Sequence, residues 1–335
     1  MDSATQFILG ASIAGVTLGR TMGSRALLVG GLLGTLPDLD SFIPMGNAID
    51  NMTYHRGFSH SVFVLTAASP VITYGLTRGI AALRDRWWLT LLAVWLCLVT
   101  HPMLDALTTY GTQILWPFGN APPGLAPVAF PVVFIIDPVY TLLLLAGVIA
   151  LWRWGADGVR MLRICLALAT VYLGLGAAGH LSVRARAEAH PQLQGKEIHV
   201  QPTPFNIIGW QVLAVDKNQV VSALAGAWPT CDVVPVIQKP RMPQPPDGTK
   251  LSSSVERLTW FTDGFYQYRV AGQKLILSDL RIGFSPSFVF SFEVARRAGE
   301  KFLEVDPVRH SLDVPRAEGV KQLLSRLADT LKTCV

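Results

Sequence analysis

HRGFSHSVFVLTAASPVITYGL, residues 55–76, joins two histidines, an arginine and two serines to a long apolar run without a charge. Extended to Leu83, the run is long enough for a hydrocarbon core that asks for about 20 residues, so it predicts a membrane helix with polar chemistry at its mouth. Charged and imidazole groups at the edge of hydrocarbon are costly unless they are paired or bind a metal. This stretch therefore predicts an integral membrane protein with a site at the membrane boundary.

The rest of the chain agrees. Half of its 335 residues are hydrophobic and only 15% are charged, too apolar a mixture for an ordinary soluble domain. Further apolar segments run over 5–19, 26–36, 87–104, 131–152 and 161–181, giving six predicted spans with 61–83, the first two being short enough for a tilted or re-entrant pair. The N-terminus lacks the basic region and cleavage signal of a removable signal peptide. Up to residue 183 every basic residue is Arg and every acidic one is Asp, whereas Lys and Glu become frequent beyond it. The predicted domains are thus an α-helical membrane part, 1–183, carrying the site, and a mostly β (α+β) soluble part, 184–335.

Threading six spans puts Arg20, Arg25, Arg78, Arg84, Arg86, Arg153, Arg160 and Arg163 on one face and Arg56 alone on the other. The positive-inside rule makes the first face cytoplasmic and predicts an inner-membrane protein whose N-terminus, 37–60 loop and C-terminal domain are extracytoplasmic. The net charge of +5 reflects this bias, and no dense basic run suggests a nucleic-acid surface.

In the soluble part, RLTWFT and FYQYRV flank Asp263-Gly264 as a predicted hairpin, and KLILSDLRI follows a turn at Gly272. WQVLAV and QVVSALAG read as strands. Val320, Leu323, Leu324, Leu327 and Leu331 predict a closing amphipathic helix, and six prolines between Pro229 and Pro246 read as a linker. Cys231 and Cys334 are candidates for a disulfide, while Cys97 and Cys165 read as packing residues.

Two more polar stretches fall on the outer face with HRGFSHS: LPDLDSF (36–42) and THPMLDALTTYGT (100–112). Together they offer Asp38, Asp40, His55, His60, His101 and Asp105, a mixture of imidazole and carboxylate that suits zinc, with manganese or iron as alternatives. His101 and Asp105 are four apart and share a helix face, although Pro102 loosens that argument. Ser59 is the expected N-cap of the span opened by His60. Asp137 before Pro138 reads as a helix cap, and Asp137 and His180 are further candidates to support the ligands. Arg56 reads either as a snorkelling side chain or as an oxyanion binder.

The ordered motifs Pro37-Asp38-Leu39-Asp40, His55-Arg56-Gly57-Phe58-Ser59-His60-Ser61 and His101 to Gly111 resemble the YdjM/YbcI family of membrane-bound metal-dependent hydrolases over roughly residues 25–140. A weaker similarity runs to zinc-dependent phospholipase C and related nucleases. That similarity implies Asp40, His60, His101 and Asp105 as one zinc set, although the chain has no second His-x-x-x-Glu pair. The resemblance implies a metal-dependent hydrolase, and the position of the site at the outer membrane boundary makes a lipid or lipid-linked phosphoester the expected substrate. Asp38 and His55 are the candidate bases, and Arg56, Ser59, Ser61 and Thr109 the candidate substrate contacts. An envelope protein is the expected partner of 184–335, and no nucleic acid is expected. Two other readings are a structural metal beneath a binding domain and a metal-ion or solute transporter.

Overall fold

The computed structural model describes residues 1–119, 124–246, 248–284, 287–310 and 316–332. Its elements run α1 (Ser3–Met22), α2 (Arg25–Thr35), α3 (Ala48–Tyr54), α4 (Val62–Gly79), α5 (Trp87–Ala106), α6 (Pro138–Trp154) and α7 (Val159–Ala189). Then come β1 (Glu197–Pro202), β2 (Gly209–Val215), β3 (Gln219–Gly226), β4 (Val234–Pro240), α8 (Ser253–Phe261), β5 (Tyr266–Ala271) and β6 (Lys274–Asp279). The short β7 (Gly283–Phe284) and β8 (Ser287–Phe288) precede β9 (Ser291–Ala298), β10 (Lys301–Arg309) and α9 (Arg316–Leu331). The chain forms two compact units. One comprises Met1–Ile43, Arg56–Asn120 and Val128–Gly176; the other comprises Pro44–His55, Ala121–Pro127 and Ala177–Val335.

The first unit is helical. Each predicted apolar segment overlaps a helix, although 131–152 becomes helical only from Pro138, and six spans are not supported. Among the described residues, only Trp87–Ala106 and the continuous stretch Pro138–Ala189 are long and apolar enough to cross a membrane. Helix α2, with 11 residues, rises only about 16 Å, half of a hydrocarbon core. Helices α1 and α4 are long enough to compete, but Gln6, Ser12 and Thr17 dilute the first, and Thr66, Ser69 and Thr73 dilute the second, which also contains Pro70. In Pro138–Ala189 only 22% of the apolar window is buried, with Leu142, Trp152 and Leu175 exposed, which suits a lipid-facing surface better than a soluble core.

Helices α1 and α2 meet through glycine. A Cβ built on Gly30 would fall 2.2 Å from the Gly10 carbonyl oxygen, and one on Gly34 would fall 2.6 Å from that of Gln6. This spacing of small residues lets two backbones touch. It places the last turn of α2 beside α1 and α5, where the polar residues gather.

The second unit holds two four-stranded antiparallel sheets, in the order β1-β2-β3-β4 and β10-β9-β6-β5. Strand β2 is buried along its whole length because both its faces are covered. Trp210, Val212 and Ala214 pack with Val183 and Ala187 of α7, while Leu213 and Val215 pack with Phe265, Leu280 and Phe288. Leu323 and Leu327 of α9 close over Leu224, as the heptad-like spacing predicts.

The hairpin expected at Asp263-Gly264 does not form, because RLTWFT belongs to α8. Val255, Leu258 and Phe261 recur at helical spacing and are buried together, a pattern that outweighs the β preference of the aromatic residues. The turn at Gly272 does join β5 to β6, with a φ of 60° that favours glycine. The proline-rich segment is not a plain linker either: its middle forms β4, an edge strand where Pro235 and Pro240 are tolerated. Residue 334 lies outside the described residues, and with it the expected pairing of Cys231 with Cys334.

Candidate metal centre

The site is assembled by the first unit from three short pieces of chain. The 3₁₀ helix Leu36–Phe42 that continues α2 carries Asp38 and Asp40. The 3₁₀ turn Phe58–His60 before α4 carries Ser59 and His60. Helix α5 carries His101 and Asp105, and it remains helical through Pro102, so the i, i+4 pair does form.

Asp38, His60, His101 and Asp105 offer one donor atom each within 4.8 Å of one another. Nε2 of His60 lies 3.1 Å from Nε2 of His101. Oδ1 of Asp38 lies 3.3 Å from His101 Nε2 and 3.6 Å from His60 Nε2. Oδ2 of Asp105 lies 3.3 Å and 3.6 Å from the same two nitrogens, His60 first. Donors about 2.0–2.2 Å from a tetrahedral ion are separated by roughly 3.3–3.6 Å, so these spacings fit one transition-metal ion.

The hydrogen bonds around the set favour the same reading. Nδ1 of His101 lies 2.5 Å from the Gly34 carbonyl oxygen, which can only accept, so the ring's Nδ1–H points there. Ser59 Oγ donates to Asp40 Oδ2 at 2.5 Å and accepts from His60 Nδ1 at 2.9 Å. In both neutral rings Nε2 is thereby left as a lone pair facing the two carboxylates. Oδ2 of Asp105 is buried and accepts no hydrogen bond. Two lone-pair nitrogens and two carboxylates packed together, with one carboxylate oxygen accepting no hydrogen bond, are a donor set that fits a divalent cation.

Arg56 closes one side. Its backbone sits at φ 64°, a strained conformation for a residue with a side chain, and its N–H donates to Asp40 Oδ2 at 3.1 Å. Its guanidinium is buried against the Tyr110 ring, with Nε 3.1 Å from Asp105 Oδ2 but not aligned for a hydrogen bond. A snorkelling side chain would be exposed, so the oxyanion-binding alternative fits its burial better.

Asp40 is therefore one step back from the four donors. Residues two apart on a 3₁₀ helix point about 120° away from each other, so Asp38 and Asp40 cannot both face one ion. Ser59 is a bridge to Asp40 and not an N-cap; Ser61 caps α4 by accepting from Val64 N, and its hydroxyl donates to the Trp116 carbonyl at 2.6 Å. Thr109 is half-buried in the turn after α5. Asp137 caps α6, as its position before Pro138 predicts, and accepts from the Tyr172 hydroxyl at 2.9 Å. His55 ends α3 and His180 packs edge-on against Trp210, both within the second unit.

Gln6, Gly34 and Tyr110 were not predicted. Gln6 Nε2 donates to Asp105 Oδ1 at 3.1 Å and to the His101 carbonyl at 3.2 Å. A lone Gln in an apolar helix and the glycines of VGGLLGT were the only signals available in the sequence.

A helical unit with apolar crossing segments and a buried cluster of two imidazoles and two carboxylates defines a membrane protein with a candidate metal centre. Residues 1–182 match the model of the YdjM inner membrane protein family, and the chain belongs to that family. It is 30% identical over 183 residues to the uncharacterized protein YfhP of Bacillus subtilis (strain 168), covering 52% of this chain and 53% of that one. The chain thus aligns with about half the length of this relative. No solved structure matches it.

Proposed function

We propose that the chain is a membrane-bound, metal-dependent hydrolase acting on a phosphoester of a lipid or lipid-linked substrate. The observation that carries this reading is the four-donor cluster with a buried arginine beside it. Asp38, His60, His101 and Asp105 would hold the ion, zinc fitting best and manganese or iron also fitting the donors. A divalent ion there would supply hydroxide at neutral pH by lowering the pKa of a water.

The chain's own residues do the rest. Asp38 has the most exposed side chain of the four, 17%, and its carboxylate would accept the proton of the attacking water. His55 is the other candidate base. Arg56 would hold a phosphoryl oxygen: Nε and Nη1 are buried without hydrogen-bond partners, and its planar fork suits phosphate. Ser59 and Asp40 orient His60, and Gly34 orients His101. Thr109 would contact the substrate's headgroup side, whereas Ser61 is fully buried with its hydroxyl committed to Trp116 and Val64.

We place the N-terminus, the 37–60 loop and residues 184–335 on the extracytoplasmic side, where the β domain could also meet an envelope protein. This orientation rests on the arginine bias of the six-segment threading. Single cysteines at Asn47 and Thr249, but not at Arg84, should then react with an impermeant thiol reagent.

The activity test is release of phosphate or a phosphorylated headgroup from lipid in mixed micelles by zinc-loaded protein. Chelator-sensitive release that Arg56→Ala abolishes would support hydrolysis. The presence of four protein donors, enough to fill a tetrahedral ion, favours a second reading in which the metal is structural. A metal-loaded sample that cleaves no phosphoester lipid, with every coordination position taken by protein, would establish that second reading instead.

A further inference from the structure

The second unit contains a cavity of about 350 Å³ between its two sheets, within the range of small-molecule sites. Its apolar walls include Leu213 of β2, Ile237 of β4 and Phe288 of β8. Packing of the two sheets needs only apolar residues on this inner face, yet Gln211, Ser222 and Ser278 line the cavity as well, at 2%, 7% and 5% exposure. Buried polar groups are costly unless they are paired, and Ser278 is paired with Ser291 Oγ at 2.8 Å. Gln211 accepts from Gln201 at 2.7 Å, but its own amide nitrogen donates only one long bond, 3.4 Å to Ser222 Oγ, of the two it can make.

The mouth is cationic. Lys239, Arg241 and Arg269 line the cavity, and none of its lining residues is acidic. Arg241 is fixed in place by donating to the backbone carbonyls of Tyr266 and Asp216 at 3.1 and 2.9 Å and to that of Gly264, with the carboxylates of Glu197 and Asp216 also near it. Lys239 is exposed on the edge strand β4.

We propose that this cavity binds a single-chain anionic amphiphile, with the chain against Leu213, Ile237 and Phe288, and a carboxylate or phosphate headgroup at Lys239 and Arg241. Apolar walls alone would accept any hydrocarbon, and cations alone would accept any anion. The juxtaposition of both in one small cavity selects a molecule that has both parts. The inference is independent of the metal centre.

Decanoate is the probe, because it carries a chain and a charge but no phosphoester. Its binding to the full chain in lipid nanodiscs, with chelator present, is measured by calorimetry against empty nanodiscs, with acetate and decanol as comparators. One saturable decanoate site per chain is expected, roughly tenfold or more tighter than either comparator. Ile237→Trp, which fills the cavity from the edge strand, should remove binding. Lys239→Glu reverses an exposed charge without disturbing the core and should weaken binding by about tenfold. No saturable decanoate binding, equal affinity for acetate or for decanol, or unchanged binding in both variants would each overturn the assignment.

Discussion

The Nε2 atoms of His60 and His101 face each other at 3.1 Å, each ring held from behind by an oxygen on its Nδ1 side, Ser59 for one and the Gly34 carbonyl for the other. Two imidazole lone pairs at that distance repel unless a cation or a proton lies between them, so the neutral pair is expected to bind metal. Purified protein should carry about one zinc-like ion per chain by elemental analysis, with one set of four donors to hold it. His60→Ala and His101→Ala should each remove it, and full metal content in both would refute the centre.

The oxygens behind the imidazoles should matter nearly as much. Asp40→Asn and Ser59→Ala leave all four donors present but loosen the orientation of His60. Losing such support commonly costs about 10–100-fold in metal affinity. Competition with a chelating dye measures it, and affinities equal to wild type would place Asp40 outside the centre altogether.

Arg56 separates binding from turnover. Its φ of 64° is better suited to glycine, so Arg56→Gly relieves the backbone while deleting the guanidinium. The variant should keep its metal and its thermal stability, yet lose on the order of 10²–10³ in turnover, as removal of a charge-stabilising donor does. If a lipid phosphoesterase activity is found and Arg56→Gly retains it, Arg56 has a structural role only.

The contact between α1 and α2 is the support on which Gly34 and Gln6 reach the site. Gly30→Val puts a side chain where the Gly10 carbonyl lies and should destabilise the helical unit by about 1–3 kcal/mol through overpacking. Gly75→Ala is the control, because a Cβ there meets nothing within 4 Å. Equal melting temperatures for the two variants in detergent would show that the glycine contact is not needed.

The β domain should weaken in acid. Burial, with the Arg281 charge as a secondary cause, pushes the His199 imidazole down to about 3, against an unfolded value near 6.5, and its Nε2 has no hydrogen-bond partner. The folded state thus holds the ring neutral while the unfolded chain takes up a proton. The stability present above pH 6.5 falls as the pH drops from 6.5 towards 3, by at most about 1.4 kcal/mol per pH unit for one proton. Denaturant unfolding followed through β-domain fluorescence should show this slope, and His199→Gln should flatten it.

Much was legible in the sequence because it depends on local spacing. Apolar runs placed the six helices, the pairing of His101 with Asp105 followed from a four-residue interval, and Leu323 and Leu327 marked the face of α9. The motifs also named the family. What they could not give was any quantity set by how segments meet. Whether an apolar helix can cross a membrane depends on its final length and on how much surface its neighbours cover, which reduced six expected spans to two candidates. RLTWFT became a helix because Val255, Leu258 and Phe261 found a common core to bury in. Asp38 rather than Asp40 faces the imidazoles because the segment after α2 winds as a 3₁₀ helix, whose tighter turn sends alternate residues to different sides. Gly34 and Gln6 serve the site only because three glycines let two backbones touch, a contact between residues 20 or more positions apart that no local pattern records. The sequence determined which chemistry was available, and the tertiary structure decided which atoms meet, since distances across a fold are fixed by packing rather than by spacing along the chain.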